Sequence, residues 1–170
     1  MPNFDNRFGE ETKTEWLTPP EILDVLGEFD LDPCAPINPP WRIAKTQFTV
    51  ADNGFIKQWF GRVFLNPPYT KDTWRWMKKL AEHGNGIALI FARTETKAFF
   101  PYVWDMADGI FFFNKRLTFY HVSGEKGGKN SGAPSVLIAY GKFNAAILKQ
   151  NEDLLGGKYL PLKELNNYGY

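Results

Sequence analysis

Apolar positions along the chain fall into short continuous runs separated by amphipathic stretches. Ile22, Val25, Leu26 and Phe29 recur at helical spacing and predict a helix from Glu21 to Phe29, entered through the prolines of Trp16-Leu-Thr-Pro-Pro20. Phe29-Asp-Leu-Asp-Pro33 reads as a short strand stopped by proline. Pro33, Pro36, Pro39 and Pro40 exclude a long helix over residues 34–45, and the weak alternation of Thr46 to Val50 predicts a strand. Val63-Phe-Leu65 is a short buried strand that runs straight into Asn66-Pro-Pro-Tyr69. Trp74, Met77, Leu80 and Ala81 form the apolar stripe of a helix from Lys71 to His83, closed by Gly84-Asn-Gly86. Ile87 to Ala92 and Ile110 to Phe113 predict buried strands, with a helix from Lys97 to Met106 between them. Leu117 to Val122 and Ser135 to Tyr140 are two more predicted strands, joined by the glycine-rich loop 123–132 as an antiparallel hairpin; one helix and a tail follow Gly141. Strands alternating with helices predict an α/β fold. The expected architecture is a single Rossmann-like domain over residues 1–170, with a mostly parallel mixed sheet, helices on both faces and a C-terminal antiparallel hairpin. The polar, acidic residues 1–15 read as a loose lead-in.

Composition narrows the class. The longest apolar runs are far shorter than the roughly 20 residues of a membrane span. The N-terminus lacks the basic-then-apolar pattern of a signal peptide, which predicts a cytoplasmic protein. A single cysteine, Cys34, excludes an intramolecular disulfide, and with His83 and His121 it makes no zinc spacing, so no metal is expected. The formal net charge of +1 speaks against binding nucleic acid through bulk charge. Its distribution removes that objection. Residues 1–35 carry nine acidic residues against two basic ones, and the remaining chain is strongly basic. Aromatic content is high, at 16%, with six tryptophans and fifteen phenylalanines. This fits an aromatic core, and it equally fits stacking on bases or on a cofactor ring.

Asn66-Pro67-Pro68-Tyr69 at a strand's carboxyl end is the sharpest chemical signal, because ligands in open α/β sheets sit there. An adenine amino group has its lone pair delocalised into the ring and is a poor nucleophile. Two acceptors aimed at its two N–H bonds draw the nitrogen toward a tetrahedral, nucleophilic state. The Asn66 side-chain carbonyl and the Pro67 backbone carbonyl are the candidate pair, held stiff by consecutive prolines. Tyr69 offers a ring face on which a base can stack.

The chain resembles the small phage-type DNA N6-adenine methyltransferases, from about Glu15 to Tyr140. The blocks stand in the family's order: Trp16-Leu-Thr-Pro19; Phe29-Asp-Leu-Asp-Pro-Cys-Ala35; Asp52-Asn-Gly54 followed by Trp59; Val63-Phe-Leu-Asn-Pro-Pro-Tyr69; Ala92-Arg-Thr-Glu-Thr96 with Phe99-Phe100; Lys115-Arg-Leu-Thr-Phe119; and Ala133-Pro-Ser135. The resemblance implies S-adenosylmethionine as cofactor, double-stranded DNA as partner, a flipped-out adenine as target and, in a phage or prophage setting, a place in restriction-modification. It implies that Trp16, Thr18, Pro19, Asp32, Pro33, Cys34 and Ala35 bind the cofactor, with Thr18 and Pro19 against its methionine end and Asp32 accepting from its amino group. The chain lacks the FxGxG glycines of the wider superfamily after Asp32.

Asp52 follows Asp32 by twenty positions, a spacing that suits an acid on ribose hydroxyls; an acid near the cofactor's adenine and a surface turn remain open beside it. Arg93, Thr94 and Thr96 are candidate phosphate or target-strand contacts, with a helix cap as the other reading of the threonines. Lys115, Arg116 and Phe119 join a basic pair to aromatics, the arrangement expected around a flipped base and its flanking phosphates. Lys71, Arg75, Lys78 and Lys79 line one helix face, either solvated or part of a DNA track. Loop 123–132 lacks the spacing of a phosphate loop, and Lys126 and Lys129 make it a candidate DNA-facing finger. A methyltransferase of another amine (cytosine N4, RNA adenine or a protein glutamine) and a non-catalytic DNA-binding relative are the competing readings. Target specificity is expected from loops 34–45 and 121–133 rather than from a separate domain.

Overall fold

A computed structural model of the chain describes residues 16–163; the lead-in predicted for residues 1–15 lies outside them. The elements are β1 (Trp16–Leu17), α1 (Pro20–Leu26), β2 (Phe29–Asp32), β3 (Ala44–Gln47), β4 (Val63–Leu65), α2 (Thr73–His83) and β5 (Gly86–Phe91). A π-helical turn (Phe100–Trp104) leads to β6 (Gly109–Phe113), β7 (Tyr120–His121), β8 (Ser135–Tyr140), α3 (Lys142–Gln150), α4 (Glu152–Leu155) and β9 (Gly157–Pro161).

Seven strands form one mixed sheet in the order β3-β2-β4-β5-β8-β6-β9. The β3, β2, β4 and β5 strands are mutually parallel, whereas β8 is antiparallel to both β5 and β6, and β9 is antiparallel to β6. Strand alternation sorts the side chains into two cores. Val63, Leu65, Ala88, Ile90, Ile110 and Val136 pack on one face with Met77 and Leu80 of α2 and with Val103 of the π-helical turn. Phe64, Ile87, Leu89, Phe111 and Leu137 pack on the other with Ile22 and Leu26 of α1, Leu148 of α3 and Leu155 of α4. The sheet therefore has helices on both faces.

The topology locates a crevice. From β2 the chain crosses to β3 on one side; β4 then returns to the opposite side of β2, and β5 continues outward. The carboxyl ends of β2 and β4 flank this reversal of strand order, which is where open α/β sheets bind their ligands. The Pro33–Pro36 and Asn66–Tyr69 segments leave the sheet at those two ends.

Several expectations are corrected. The predicted hairpin is not formed. The Ser135–Tyr140 strand slides between β5 and β6, and Tyr120-His121 pairs with Trp16-Leu17 in a separate two-stranded sheet. Leu117 and Phe119, expected in the hairpin, are drawn into the core beneath the sheet. The helix predicted from Lys97 to Met106 shrinks to the π-helical turn. Pro101 there has no N–H to give, and the Asp105 N–H reaches back to the Phe100 carbonyl at 3.0 Å. The first helix ends at Leu26 because Gly27, at φ +80°, turns the chain so that Phe29 can enter β2. The tail after α3 adds α4 and an edge strand, β9.

Candidate active site

A cleft of about 510 Å³ opens at the β2/β4 crevice, in the size range of small-molecule sites. It is lined by Trp16, Pro33, Cys34, Ala35, Pro36, Thr49, Val50, Asn53, Gly54, Asn66, Pro67, Pro68, Tyr69 and Trp76. Strand β1, three loop segments and helix α2 thus supply the walls. Gly54 is demanded by close approach, since a Cβ there would lie 2.1 Å from the Pro33 carbonyl oxygen. The Trp59 indole N–H donates to the Gly54 carbonyl at 2.9 Å, and the Lys79 ammonium donates to the carbonyls of Phe55 and of Lys57, the latter at 2.6 Å. The Trp59 bond closes the loop on itself, and the two Lys79 bonds fasten the 49–57 wall to α2.

Asn66 is oriented at both ends. Its Nδ2 donates to the Trp16 carbonyl at 3.0 Å and lies 3.4 Å from the Thr18 hydroxyl. Its Oδ1 accepts from the Tyr69 hydroxyl at 3.2 Å, a hydroxyl that also reaches the Leu89 carbonyl at 3.3 Å. Next along the chain, the Pro68 carbonyl is occupied by the Thr70 N–H at 2.9 Å and the Thr73 hydroxyl at 2.6 Å. Nothing among the described residues donates to the Pro67 carbonyl. The Pro67 carbonyl is therefore a free acceptor, and Asn66 Oδ1, which takes one hydrogen bond from Tyr69, keeps a second lone pair for another donor. Burial holds the Tyr69 hydroxyl well above the usual phenol range, so it stays protonated and can only donate or accept hydrogen bonds. Its ring stacks on Phe91, centroids 4.3 Å apart at 19°, and Phe91 had no signal in the sequence beyond its place in an apolar run.

Of the residues expected to hold a cofactor, Trp16, Pro33, Cys34 and Ala35 line the cleft. Thr18, Pro19, Asp32 and Asp52 are not part of its lining. Thr18 is fully buried and turns its hydroxyl to Asn66; Pro19 is buried at the start of α1. Asp32 is 3% exposed and accepts the Cys34 N–H at 3.0 Å, so it shapes the turn behind the wall; burial raises its pKa to about 7 against the pull of that bond. Asp52 is exposed, and its Oδ2 accepts the Thr49 N–H at 2.8 Å and the Thr49 hydroxyl at 3.0 Å, which is the surface-turn reading. These bonds, both lowering its pKa, tie it to its own loop. Its neighbours Asn53 and Gly54 reach the cleft instead, and the Asn-Gly pair was the available signal for them.

The DNA-contact candidates divide. Arg93, Lys115 and Arg116 are exposed and Thr94 is half-buried; none lines the cleft. Thr96 caps no helix, its hydroxyl donating instead to the Arg93 carbonyl at 2.7 Å. Arg116 donates to the Ser131 carbonyl at 3.3 Å and so ties down the glycine-rich loop. Phe119 is 7% exposed and belongs to the core, which removes it as a stacking surface. The basic face of α2 is broken: Lys79 is tied to loop carbonyls, Lys78 pairs with Glu82, and Arg75 lies over the Phe55 ring. His121 packs on Trp16 with ring centroids 4.5 Å apart. Among the described residues, no group of three or more His, Cys, Asp or Glu could hold a metal ion, and no helix is long and apolar enough to cross a membrane.

Comparison with protein-family models gives a match to DNA N-6-adenine-methyltransferase (Dam) over residues 6–155. No significant match was found among curated proteins or among solved structures.

Proposed function

The chain belongs to the DNA N-6-adenine-methyltransferase (Dam) family and is an adenine-specific DNA methyltransferase; on that premise we propose how its cleft carries out the reaction. The single observation that carries the proposal is the pair of acceptors that consecutive cleft residues supply, Asn66 Oδ1 with one lone pair left beside its bond from Tyr69 and the Pro67 carbonyl with no donor among the described residues. The target adenine, turned out of double-stranded DNA, enters with its amino group between them. Each oxygen takes one N–H, and the nitrogen lone pair is released from the ring toward the methyl donor. The two oxygens would hold the amine for alkylation by a donor that supplies the methyl group when bound, and the extra proton of the alkylated amine would pass to solvent afterward, so no strong base is needed before attack. Tyr69, backed by Phe91, presents its other face to the base.

S-adenosylmethionine is the proposed donor, and when bound it supplies an electrophilic methyl group on a sulfonium sulfur. The residues present fit it. The cleft has the volume of a cofactor site, Trp16 and Trp76 offer aromatic surface to a cationic sulfur, and Cys34, Ala35 and Gly54 let backbone approach closely. Thr49 and Asn53 supply the polar part of that wall. The strand-order reversal at β2/β4 supports the Rossmann-like reading of the domain. Arg93, Lys115 and Arg116, with Lys126 and Lys129 of the 122–134 loop, are exposed cations suited to phosphates; loops 34–45 and 121–133 are the segments left to read the target.

A labelled-methyl transfer assay with S-adenosylmethionine on unmethylated duplex DNA, single-stranded DNA and RNA tests the reading. N6-methyladenine in duplex DNA is the expected product. Donor binding without transfer to any substrate, or transfer to cytosine or RNA alone, contradicts it.

A further inference from the structure

Thr18 was expected at the cofactor, yet it is fully buried, outside the cleft lining, and its hydroxyl faces the Asn66 amide. We propose that Thr18, together with the Trp16 carbonyl, is a positioning element that fixes which end of the Asn66 side chain meets the target amine. This rests on the role given to Asn66 above. An asparagine side chain is two-ended: rotated half a turn, it would present an NH₂ group to the target's own NH₂ group, two donors with nothing to share. The Trp16 carbonyl is an acceptor only, so at 3.0 Å it tolerates Nδ2 and repels an oxygen. The Thr18 hydroxyl gives the same amide nitrogen a second acceptor.

The element is itself immobilised. Trp16 and Leu17 pair with His121 and Tyr120 in the two-stranded sheet, the Trp16 ring packs on His121, and Leu17 is 1% exposed. Pro19 and Pro20 then lock the chain into α1. An amide, and not a carboxylate, is thereby specified at position 66. A carboxylate would keep an acceptor for the target amine but would press its other oxygen against the Trp16 carbonyl.

The test uses the full chain, labelled S-adenosylmethionine and duplex DNA, with kcat and KM measured for Thr18→Val, Thr18→Ser, Asn66→Asp and Asn66→Ala. Thr18→Val is expected to lower kcat about threefold, the worth of one long hydrogen bond, with both KM values within about twofold; Thr18→Ser restores the rate. Asn66→Asp is expected to lose at least tenfold in kcat. This arm reads the Trp16 carbonyl's half of the positioning element should Thr18→Val not fold. Wild-type kcat in folded Thr18→Val, equal losses in the valine and serine variants, or wild-type activity in Asn66→Asp overturns the proposal. Undiminished transfer by Asn66→Ala would instead overturn the reading of Asn66 on which it rests.

Discussion

The Tyr69 ring lies flat on Phe91, 4.3 Å between centroids, so only its opposite face is left for a base. Such a pair contributes about 1 kcal/mol beyond its buried area and holds the Tyr69 ring in place. Phe91→Ala is expected to raise KM for DNA about fivefold, and Tyr69→Ala to raise it more, with donor affinity within about twofold in both. A fluorescent adenine analogue at the target position reports base capture directly; unchanged signal in Tyr69→Ala removes the stacking role.

Lys79 holds the 49–57 wall through the Phe55 and Lys57 carbonyls and lies over the Trp59 ring at 5.0 Å. Lys79→Met keeps the stem and removes the donors. Donor affinity, read by calorimetry, is expected to fall severalfold while kcat at saturating donor stays near wild type. An unaffected dissociation constant would mean that the wall holds without it.

Asp32 gives stability a defined pH dependence. Its pKa rises from 3.8 unfolded to about 7 folded because burial penalises the charge. The native state therefore holds a proton that the unfolded state has lost, and stability falls as pH rises from about 4 to about 7. Asp32→Asn keeps an oxygen for the Cys34 N–H and removes the charge. Denaturant unfolding at pH 4, 5.5 and 7.5 is expected to show the variant gaining on wild type as pH rises. Parallel curves would contradict the burial account.

Arg62 ties the end of α1 and the turn after it to α3. Its guanidinium donates to the Leu26 and Glu28 carbonyls at 2.9 and 2.8 Å and to Asn144 at 2.6 Å, and it lies 4.1 Å from the Phe29 ring centroid. Arg62→Met leaves two carbonyls and one amide oxygen without their donor and is expected to cost about 2–4 kcal/mol in urea unfolding.

What the sequence reveals differs by element for physical reasons. Val63–Leu65 and Ser135–Tyr140 were legible because buried strands are short apolar runs with polar or proline boundaries. Partner choice was not legible: neighbouring strands usually pair, yet β8 finds its partners in β5 and β6, 44 or more and 22 or more residues earlier. The β9 strand, with two glycines before Lys158 and a terminal proline, has no alternation to announce it; its pairing with β6 decides its state. At the site, the Asn66–Tyr69 motif was legible because its chemistry is carried by consecutive residues. Asp52 and Phe119 show what a motif leaves open: a carboxylate can be satisfied by its own turn, and an aromatic beside a basic pair can point inward. The roles of Thr18, Lys79 and Arg62 exist only through bonds to residues 22 to 82 positions away.

The acceptor pair at Asn66 and Pro67 is the central claim, and single-turnover methyl transfer by Asn66→Ala tests it most directly. With donor and duplex DNA both saturating, the rate is expected to fall at least a hundredfold while the donor dissociation constant stays within about twofold of wild type. A rate near wild type, or a loss of donor affinity that accounts for the whole defect, would contradict it.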